Sequence, residues 1–214
     1  MISRRSILPL ISKSIIKAEA KAILKATGFN PTQWARVVMY EECFEFIRSL
    51  HPERLDVLEI SGGGHWQAAF DFKSFTSTQF PDFDICSQVV DRKFDLIIAD
   101  QVFEHLKWPY RAGINIISML RPGGHFVMAV PFLIKIHESP IDCSRWTEIG
   151  LKYFLQECGF SEDRVKTGSW GNRACVKANF RRWRRYGWYH SLHNEPEFPV
   201  EIWAFAQNSD TGAE

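Results

Sequence analysis

The fold is decided by the stretch Val57-Leu58-Glu59-Ile60-Ser61-Gly62-Gly63-Gly64, where an apolar run containing one acid leads directly into three consecutive glycines. Glycine has no side chain, so the backbone can approach a bound ligand closely, and backbone N–H groups at the start of a following helix attract anionic groups. The stretch is typical of a strand and turn that hold a nucleotide-like ligand. Taken alone, it is also compatible with a tight turn that binds nothing, although the ligand-binding interpretation is favoured.

Outward from this stretch, short β-like runs alternate with helical patterns. This alternation predicts βαβ units and a mostly parallel sheet. The predicted strands are 56–60, 74–78, 94–99, 126–130 and 201–206, and the clearest helices between them are 109–120 and 147–158.

Three later segments follow the glycine stretch in order. They are Phe94-Asp95-Leu96-Ile97-Ile98-Ala99-Asp100, Val102-Phe103-Glu104-His105-Leu106 and Leu120-Arg121-Pro122-Gly123-Gly124-His125-Phe126. Together with Val57–Gly64, they resemble the class I S-adenosylmethionine-dependent methyltransferases, in particular the group related to small-molecule methyltransferases, over residues 55–160. The resemblance implies an α/β, Rossmann-like fold with a mostly parallel seven-stranded sheet flanked by helices, and S-adenosylmethionine as cofactor.

The resemblance also implies which residues hold the cofactor. Glu59 and Gly63 are expected to line it, and Asp84 to lie near the adenine amino group. Asp100 and Gln101, at the end of a strand, are expected to face the methionine part or the methyl group, as loops at this edge of open α/β sheets do. Backbone around the amino-acid and ribose portions is expected from Ser61, Gly62 and Gly64.

Two departures from the family pattern concern the cofactor. Ser61 and His65 stand where the family has the outer glycines of its loop, and Gln79 stands where it has an acid that grips both ribose hydroxyls. An amide can donate to one hydroxyl and accept from the other but forgoes charge-assisted bonding. Asp82 is the alternative for this role if the preceding strand ends later. Weaker cofactor binding is the expected consequence.

The acceptor side is predicted in the loop after residue 130, because loops at the strand ends carry function disproportionately. His137, Asp142 and Arg145 are the candidate catalytic and substrate-contacting residues, with His137 as a general base of suitable pKa. A solvent-exposed His137 and a packing role for Arg145 are the alternatives. Thr147 is predicted to cap the next helix, and the pair Glu104-His105 to order its turn. The sequence shows no acidic set dedicated to a divalent ion, so no metal ligand is predicted.

Two segments flank this predicted domain. Residues 1–50 are predicted to form a helical extension, in which apolar residues and a lysine stripe at 7–25 indicate an amphipathic helix and Asn30-Pro31 the start of a second helix. The first helix is expected to cover the cofactor cleft or, through residues 6–27, to touch a membrane surface. In the domain at 51–214, a basic and aromatic insertion at 177–198 is compatible with a phosphorylated or sugar substrate, with a solvated loop and, least well, with nucleic acid.

Composition narrows the function classes. The net charge of +1 disfavours nucleic acid as the main partner, and five cysteines without Cys-x-x-Cys spacing argue against a disulfide framework or structural zinc. The cysteine pattern and the lack of an apolar run of about 18–20 residues predict a cytoplasmic protein. Contact with a membrane, if present, is expected to be peripheral. The leading hypothesis is O-methylation of a small-molecule or glycan-like acceptor. The alternative is a methyltransferase-like binding or scaffold protein with weak or no turnover.

Overall fold

The computed structural model describes residues 32–209. Six strands and five α-helices are separated by short turns and 3-10 helices. The strands are β1 Asp56–Ile60, β2 Ser74–Thr78, β3 Phe94–Asp100, β4 Leu120–Pro131, β5 Val165–Trp170 and β6 Glu201–Gln207. The helices are α1 Val37–Ser49, α2 His65–Ala69, α3 Pro109–Met119, α4 Glu148–Glu157 and α5 Arg173–Asn179, and the 3-10 helices are Trp34–Arg36, Pro52–Arg54, Phe103–His105 and Glu162–Arg164.

The strands form one sheet in the order β2-β1-β3-β4-β6-β5. Strands β2, β1, β3 and β4 are parallel, whereas β6 is antiparallel to both of its neighbours. The carboxyl ends of the four parallel strands and the start of β6 therefore meet at one edge of the sheet. Such an edge is where ligands bind in open α/β sheets.

The strand count differs from the expectation, because the described residues contain six strands and not seven. The chain between β2 and β3, residues 79–93, has neither helix nor strand. A crossover to a further parallel strand needs a dozen or more residues in addition to the strand itself. This short connection leaves β2 at the edge of the sheet.

Helices cover both faces of the sheet. On one face, α3 and α4 bury Ile116 and Phe154 against Phe126 and other sheet residues. On the other face, α1 buries Met39 and Ile47, while Trp66 and Cys175 come from α2 and α5. The two-sided cover explains the nearly unbroken apolar runs of the central strands.

Most local predictions are confirmed, with two differences. Thr147 is the N-cap of α4, its side chain accepting from the Gly150 N–H at 3.1 Å. However, α1 begins at Val37, and both Asn30-Pro31 and the amphipathic pattern of 7–25 lie outside the described residues. Strand β5 was missed, because Val165-Lys166-Thr167-Gly168-Ser169-Trp170 has only two buried side chains and carries little apolar signal. Among residues 32–209, no helix is long and apolar enough to cross a membrane.

The basic and aromatic segment is docked on the domain. Trp34 stacks on His190 with ring centroids 4.1 Å apart, and its indole N–H donates to the Ser191 carbonyl. Backbone hydrogen bonds also link Trp34 to Arg184 and Tyr186 to Thr32. The segment reaches the acceptor loop, where the Trp183 ring lies 5.6 Å from that of His137. It is therefore a packed part of the strand-end side and not a freely solvated loop.

Candidate active site

A cavity of about 820 Å³ opens at the carboxyl edge of the parallel strands. Ser61, Gln79 and Gln101 contribute to it directly after β1, β2 and β3. The loop at 139–141 and the segment at 105–108 form further walls. The volume lies within the range of about 300–1,000 Å³ that is usual for small-molecule sites.

Glu59 supports the glycine loop from beneath. Its side chain is buried and does not line the cavity, and a Cβ built on Gly62 would overlap its carboxyl group. Burial raises the pKa of Glu59, although a hydrogen bond from the Gly64 N–H acts in the opposite direction. Positions 63 and 64, by contrast, face open space. The backbone at these two positions is therefore not covered by neighbouring side chains.

The turn at Ser61 and Gly64 uses left-handed backbone, with φ of 52° and 75° respectively. Only the second of these positions has a glycine. A serine in this region carries a steric cost, which the surrounding loop must hold. The expected outer glycines are absent from the sequence, and the loop nevertheless closes around Glu59.

Gln79 joins the glycine loop to the end of β2. Its side-chain N–H donates to the carbonyl of Gly62, and the residue also lines the cavity. Asp82, the alternative for this role, is exposed and lies beyond the strand end at Thr78. Gln79 is therefore the better placed of the two to meet a ribose.

Asp84 lies on the wall that follows β2. It lines the cavity together with Phe80 and Phe83, and its carboxylate accepts from the Cys86 N–H at 2.9 Å. That bond fixes the side chain at the start of a turn. Asp84 thus lies on the cavity wall, and its contact with the adenine end stays a prediction.

A buried polar cluster lies behind the end of β3. Tyr40 donates to Asp100 at 2.9 Å, and Gln101 donates to Glu201 at 2.8 Å while accepting from Arg36 at 3.1 Å. Burial opposes the charge on Arg36, but the carboxylates of Glu201 and Asp100 outweigh this effect and raise its pKa. Gln101 has a φ of 59°, so this network holds it in a strained backbone conformation. Asp100 faces the network and does not line the cavity.

The three acceptor-loop candidates come together. The carboxylate of Asp142 accepts two hydrogen bonds from the Arg145 guanidinium and one from the His137 backbone N–H, the latter at 2.9 Å. These bonds outweigh burial and hold the pKa of Asp142 below its usual range. The side chain of His137 is 21% exposed, and burial and the neighbouring His105 lower its pKa, so the imidazole is neutral near pH 7.

Glu104 and His105 also belong to this group, which the sequence analysis missed. Glu104 is fully buried, and burial raises its pKa to about 8. The His105 ring lies 5.0 Å from that of His137 and faces the cavity. The backbone carbonyl of Glu104 accepts from Cys143 and Ser144, so the predicted turn-ordering role is present as well. The available signal was an acid and a histidine between the apolar residues Val102-Phe103 and Leu106.

Comparisons with known proteins agree with this fold. A sequence profile of a family described as "Methyltransferase domain" matches residues 65–128. The structure of an S-adenosylmethionine-dependent methyltransferase from Clostridium acetobutylicum has a TM-score of 0.53 at 10% identity, covering 92% of this chain and 99% of that chain. Phosphoethanolamine N-methyltransferase 2 from Haemonchus contortus, in complex with S-adenosyl-L-methionine, has a TM-score of 0.54 at 12% identity, covering 88% and 56%.

A third similar structure is a SAM-dependent methyltransferase from Archaeoglobus fulgidus, with a TM-score of 0.51 at 13% identity, covering 78% of this chain and 94% of that chain. At such identities the structures establish a shared fold. No curated protein sequence matches the chain. The comparisons therefore show that residues 65–128 resemble a methyltransferase domain and that the chain shares the fold of S-adenosylmethionine-dependent methyltransferases.

Proposed function

We propose that the protein transfers a methyl group from S-adenosylmethionine to a hydroxyl oxygen of a small-molecule or glycan-like acceptor. The observation that best supports this proposal is the position of His105, whose ring lines the cavity and contacts the ring of His137. Ser61, which directly precedes the three glycines, and Gln79 also line the cavity. The cavity therefore combines groups suited to the cofactor with the His105 imidazole, which is in ring contact with His137.

The chemistry that this arrangement supports is an in-line displacement. The acceptor hydroxyl gives up its proton, its oxygen bonds to the methyl carbon, and the carbon–sulfur bond breaks to leave S-adenosylhomocysteine. Most of the rate gain would come from alignment of the two reactants, with a smaller part from proton removal. Of the described groups, His137 fits this last role because its Nδ1 makes no hydrogen bond.

The buried network behind Gln101 supports the alignment. Arg36 and Glu201 hold the two ends of the Gln101 amide, so the backbone at the end of β3 is fixed where the methionine part of the cofactor is expected. A rigid strand end positions reacting groups better than a mobile loop does.

The experiment has two stages. Calorimetry with S-adenosylhomocysteine measures cofactor binding, and tritiated methyl transfer to a fractionated metabolite extract then identifies acceptors. We expect binding and a labelled product whose mass fragmentation places the methyl group on oxygen. Lack of binding at millimolar cofactor would refute the methyltransferase activity, whereas a product methylated at nitrogen would refute only the oxygen assignment.

A further inference from the structure

Glu104, His105 and His137 form a compact set of metal-ligating side chains. Each offers one donor atom, and the three atoms lie within 4.8 Å of one another. The first two residues come from the 3-10 helix Phe103–His105, and the third from the loop after β4. Two imidazoles and one carboxylate are a frequent protein ligand set for divalent zinc and transition metals, in which three protein ligands leave other positions open.

Glu104 provides an independent indication of a ligand. Its side chain is 0% exposed, and neither carboxylate oxygen has a hydrogen-bond partner. Burying a carboxyl group without partners costs several kcal/mol, so native proteins seldom leave one unsatisfied. Arg145 already forms a bidentate pair with Asp142. A cation between Glu104 and the histidines would satisfy both oxygens.

The orientation of His105 fits coordination. Its Nδ1 lies at hydrogen-bond distance from the Ile141 carbonyl, which can only accept, so Nδ1 carries the proton. The Nε2 lone pair is thereby directed toward Glu104, whose Oε1 lies 3.5 Å away. Metal-ligating histidines usually donate their other ring N–H to a carbonyl or carboxylate in this way. Donor atoms bound to a common zinc ion at about 2.0–2.1 Å are roughly 3.3–3.5 Å apart, so this pair needs little movement.

His137 completes the set from the other side. Its Nδ1 is buried and without a hydrogen-bond partner, although it lies 3.4 Å from Asp142. The backbone of His137 is held by Asp142, which is in turn held by Arg145. The loop therefore brings the third ligand toward the first two through fixed hydrogen bonds.

We propose that Glu104, His105 and His137 bind a divalent cation of the zinc or first-row transition-metal class. His105 and Ile141 line the cavity, so a ligand in the cavity could reach a cation held by these three residues. As an extension that rests on the proposed function, a bound cation would replace His137 as the group that activates the acceptor, because a nitrogen that ligates a metal has no lone pair left for a proton. The cation would bind the acceptor oxygen and lower the pKa of its hydroxyl group, whose proton would then pass to solvent. The acceptor class is then narrowed to compounds with a hydroxyl group and a second nearby oxygen, which chelate a metal better than a simple alcohol does.

The test uses the full chain without an affinity tag, stripped with a chelator and dialysed. Calorimetry with Zn²⁺ and with Mn²⁺ measures binding of the metal alone, and the visible absorption of added Co²⁺ reports nitrogen coordination. The variants are Glu104→Gln and His137→Ala, with His193→Ala, an exposed histidine, as matched control. S-Adenosylhomocysteine binding and thermal unfolding are measured on every sample.

We expect one Zn²⁺ or Mn²⁺ ion per chain, and a loss of affinity in both variants of at least about 100-fold, beyond the roughly 10–100-fold that loss of an outer hydrogen-bond partner costs. The control should bind as the wild type does. Glu104→Gln removes a buried charge-bearing group without changing its shape, so it should remain folded and retain S-adenosylhomocysteine. Absence of metal binding, or equal binding in the variants, would overturn the metal site while cofactor binding leaves the methyltransferase proposal intact. Metal binding without cofactor binding would refute the proposed function and leave the metal site standing.

Discussion

The carboxyl group of Glu59 occupies the space into which a side chain at Gly62 would project. The glycine is therefore required by packing against an acid and not by its own backbone angle. Gly62→Ala must displace a buried carboxyl group, and we expect it to lower the free energy of unfolding by about 1–3 kcal/mol. Chemical denaturation of the cofactor-free protein measures this change.

Gly63→Ala is the matched control for that variant. A Cβ at this position meets no atom within 4 Å, so the unfolding free energy should stay unchanged within about 0.5 kcal/mol. Its effect should instead be on cofactor affinity, because Gly63 is expected to lie against the ligand. Equal destabilisation by the two substitutions would contradict the packing role of Glu59.

Gln79→Ala removes the hydrogen bond to the Gly62 carbonyl and one wall of the cavity. We expect the dissociation constant for S-adenosylmethionine to rise about 5–10-fold, which corresponds to one lost hydrogen bond of roughly 1 kcal/mol. Calorimetry checks this value. Gln67→Ala, on the exposed face of α2, should bind as the wild type does, and a similar loss in that control would indicate a nonspecific effect.

Arg36→Met leaves Glu201, which is buried beside Gln101, without its cationic partner. Removing one partner of a buried ion pair is strongly destabilising, and since the Arg36 side chain is 23% exposed, we expect a loss of about 2–3 kcal/mol of stability. The double variant Arg36→Met/Glu201→Gln should recover part of it, because the buried carboxylate of Glu201 is replaced by a neutral amide. Arg182→Met, at an exposed position, is the control. A double variant that loses more unfolding free energy than the two single variants lose together would refute this account.

Asp56, the first residue of β1, lies at the sheet edge opposite the cavity. Its ionisation makes the stability of the protein depend on pH in the acid range. Hydrogen bonds from Ser74, Lys73 and Arg121 lower its pKa from 3.8 to about 2. Because the folded-state pKa is depressed, the stabilisation is complete above about pH 4 and is lost as the pH falls toward 2. We expect this stabilisation to be about 1–2 kcal/mol, a value that already allows for the solvent exposure of Lys73 and Arg121.

The measurement for Asp56 is denaturation of Asp56→Asn and wild type at pH 7, 4 and 2.5. The difference between them should shrink at the lowest pH. The exposed control Asp91→Asn should follow the wild type throughout. A difference that stays constant with pH would show that the carboxylate charge is not responsible.

Much of the fold could be predicted because its signals are local. The run Val57–Gly64 contains both the strand and the turn, and Thr147 marks a helix start within a single turn of chain. The missed strand β5 depends instead on pairing with β6, which lies far away in sequence. The expected seventh strand came from the family resemblance, whereas the length of the connection at 79–93 decides the actual number.

The site could be predicted only in part, for a similar reason. Ser61, Gln79, Asp84 and Gln101 follow strand ends, and strand ends share an edge, so their meeting at the cavity was predictable. Glu59 is buried and Asp100 is half-buried, and neither lines the cavity. The position of Asp100 depends on partners such as Tyr40, which no spacing rule connects to it. The proximity of Glu104 to His137 likewise arises from the fold of the loop after β4.

The short connection after β2 also bears on which cofactors the protein will accept. The wall around Asp84 is built from a loop that carries Phe80, which is 60% exposed, and within residues 32–209 no further strand lies outside it. Loops yield to a larger ligand more readily than a sheet does. The protein should therefore accept S-adenosylmethionine analogues that are enlarged at the adenine amino group. An analogue of this kind that other methyltransferases reject could then be used to label the products of this protein alone.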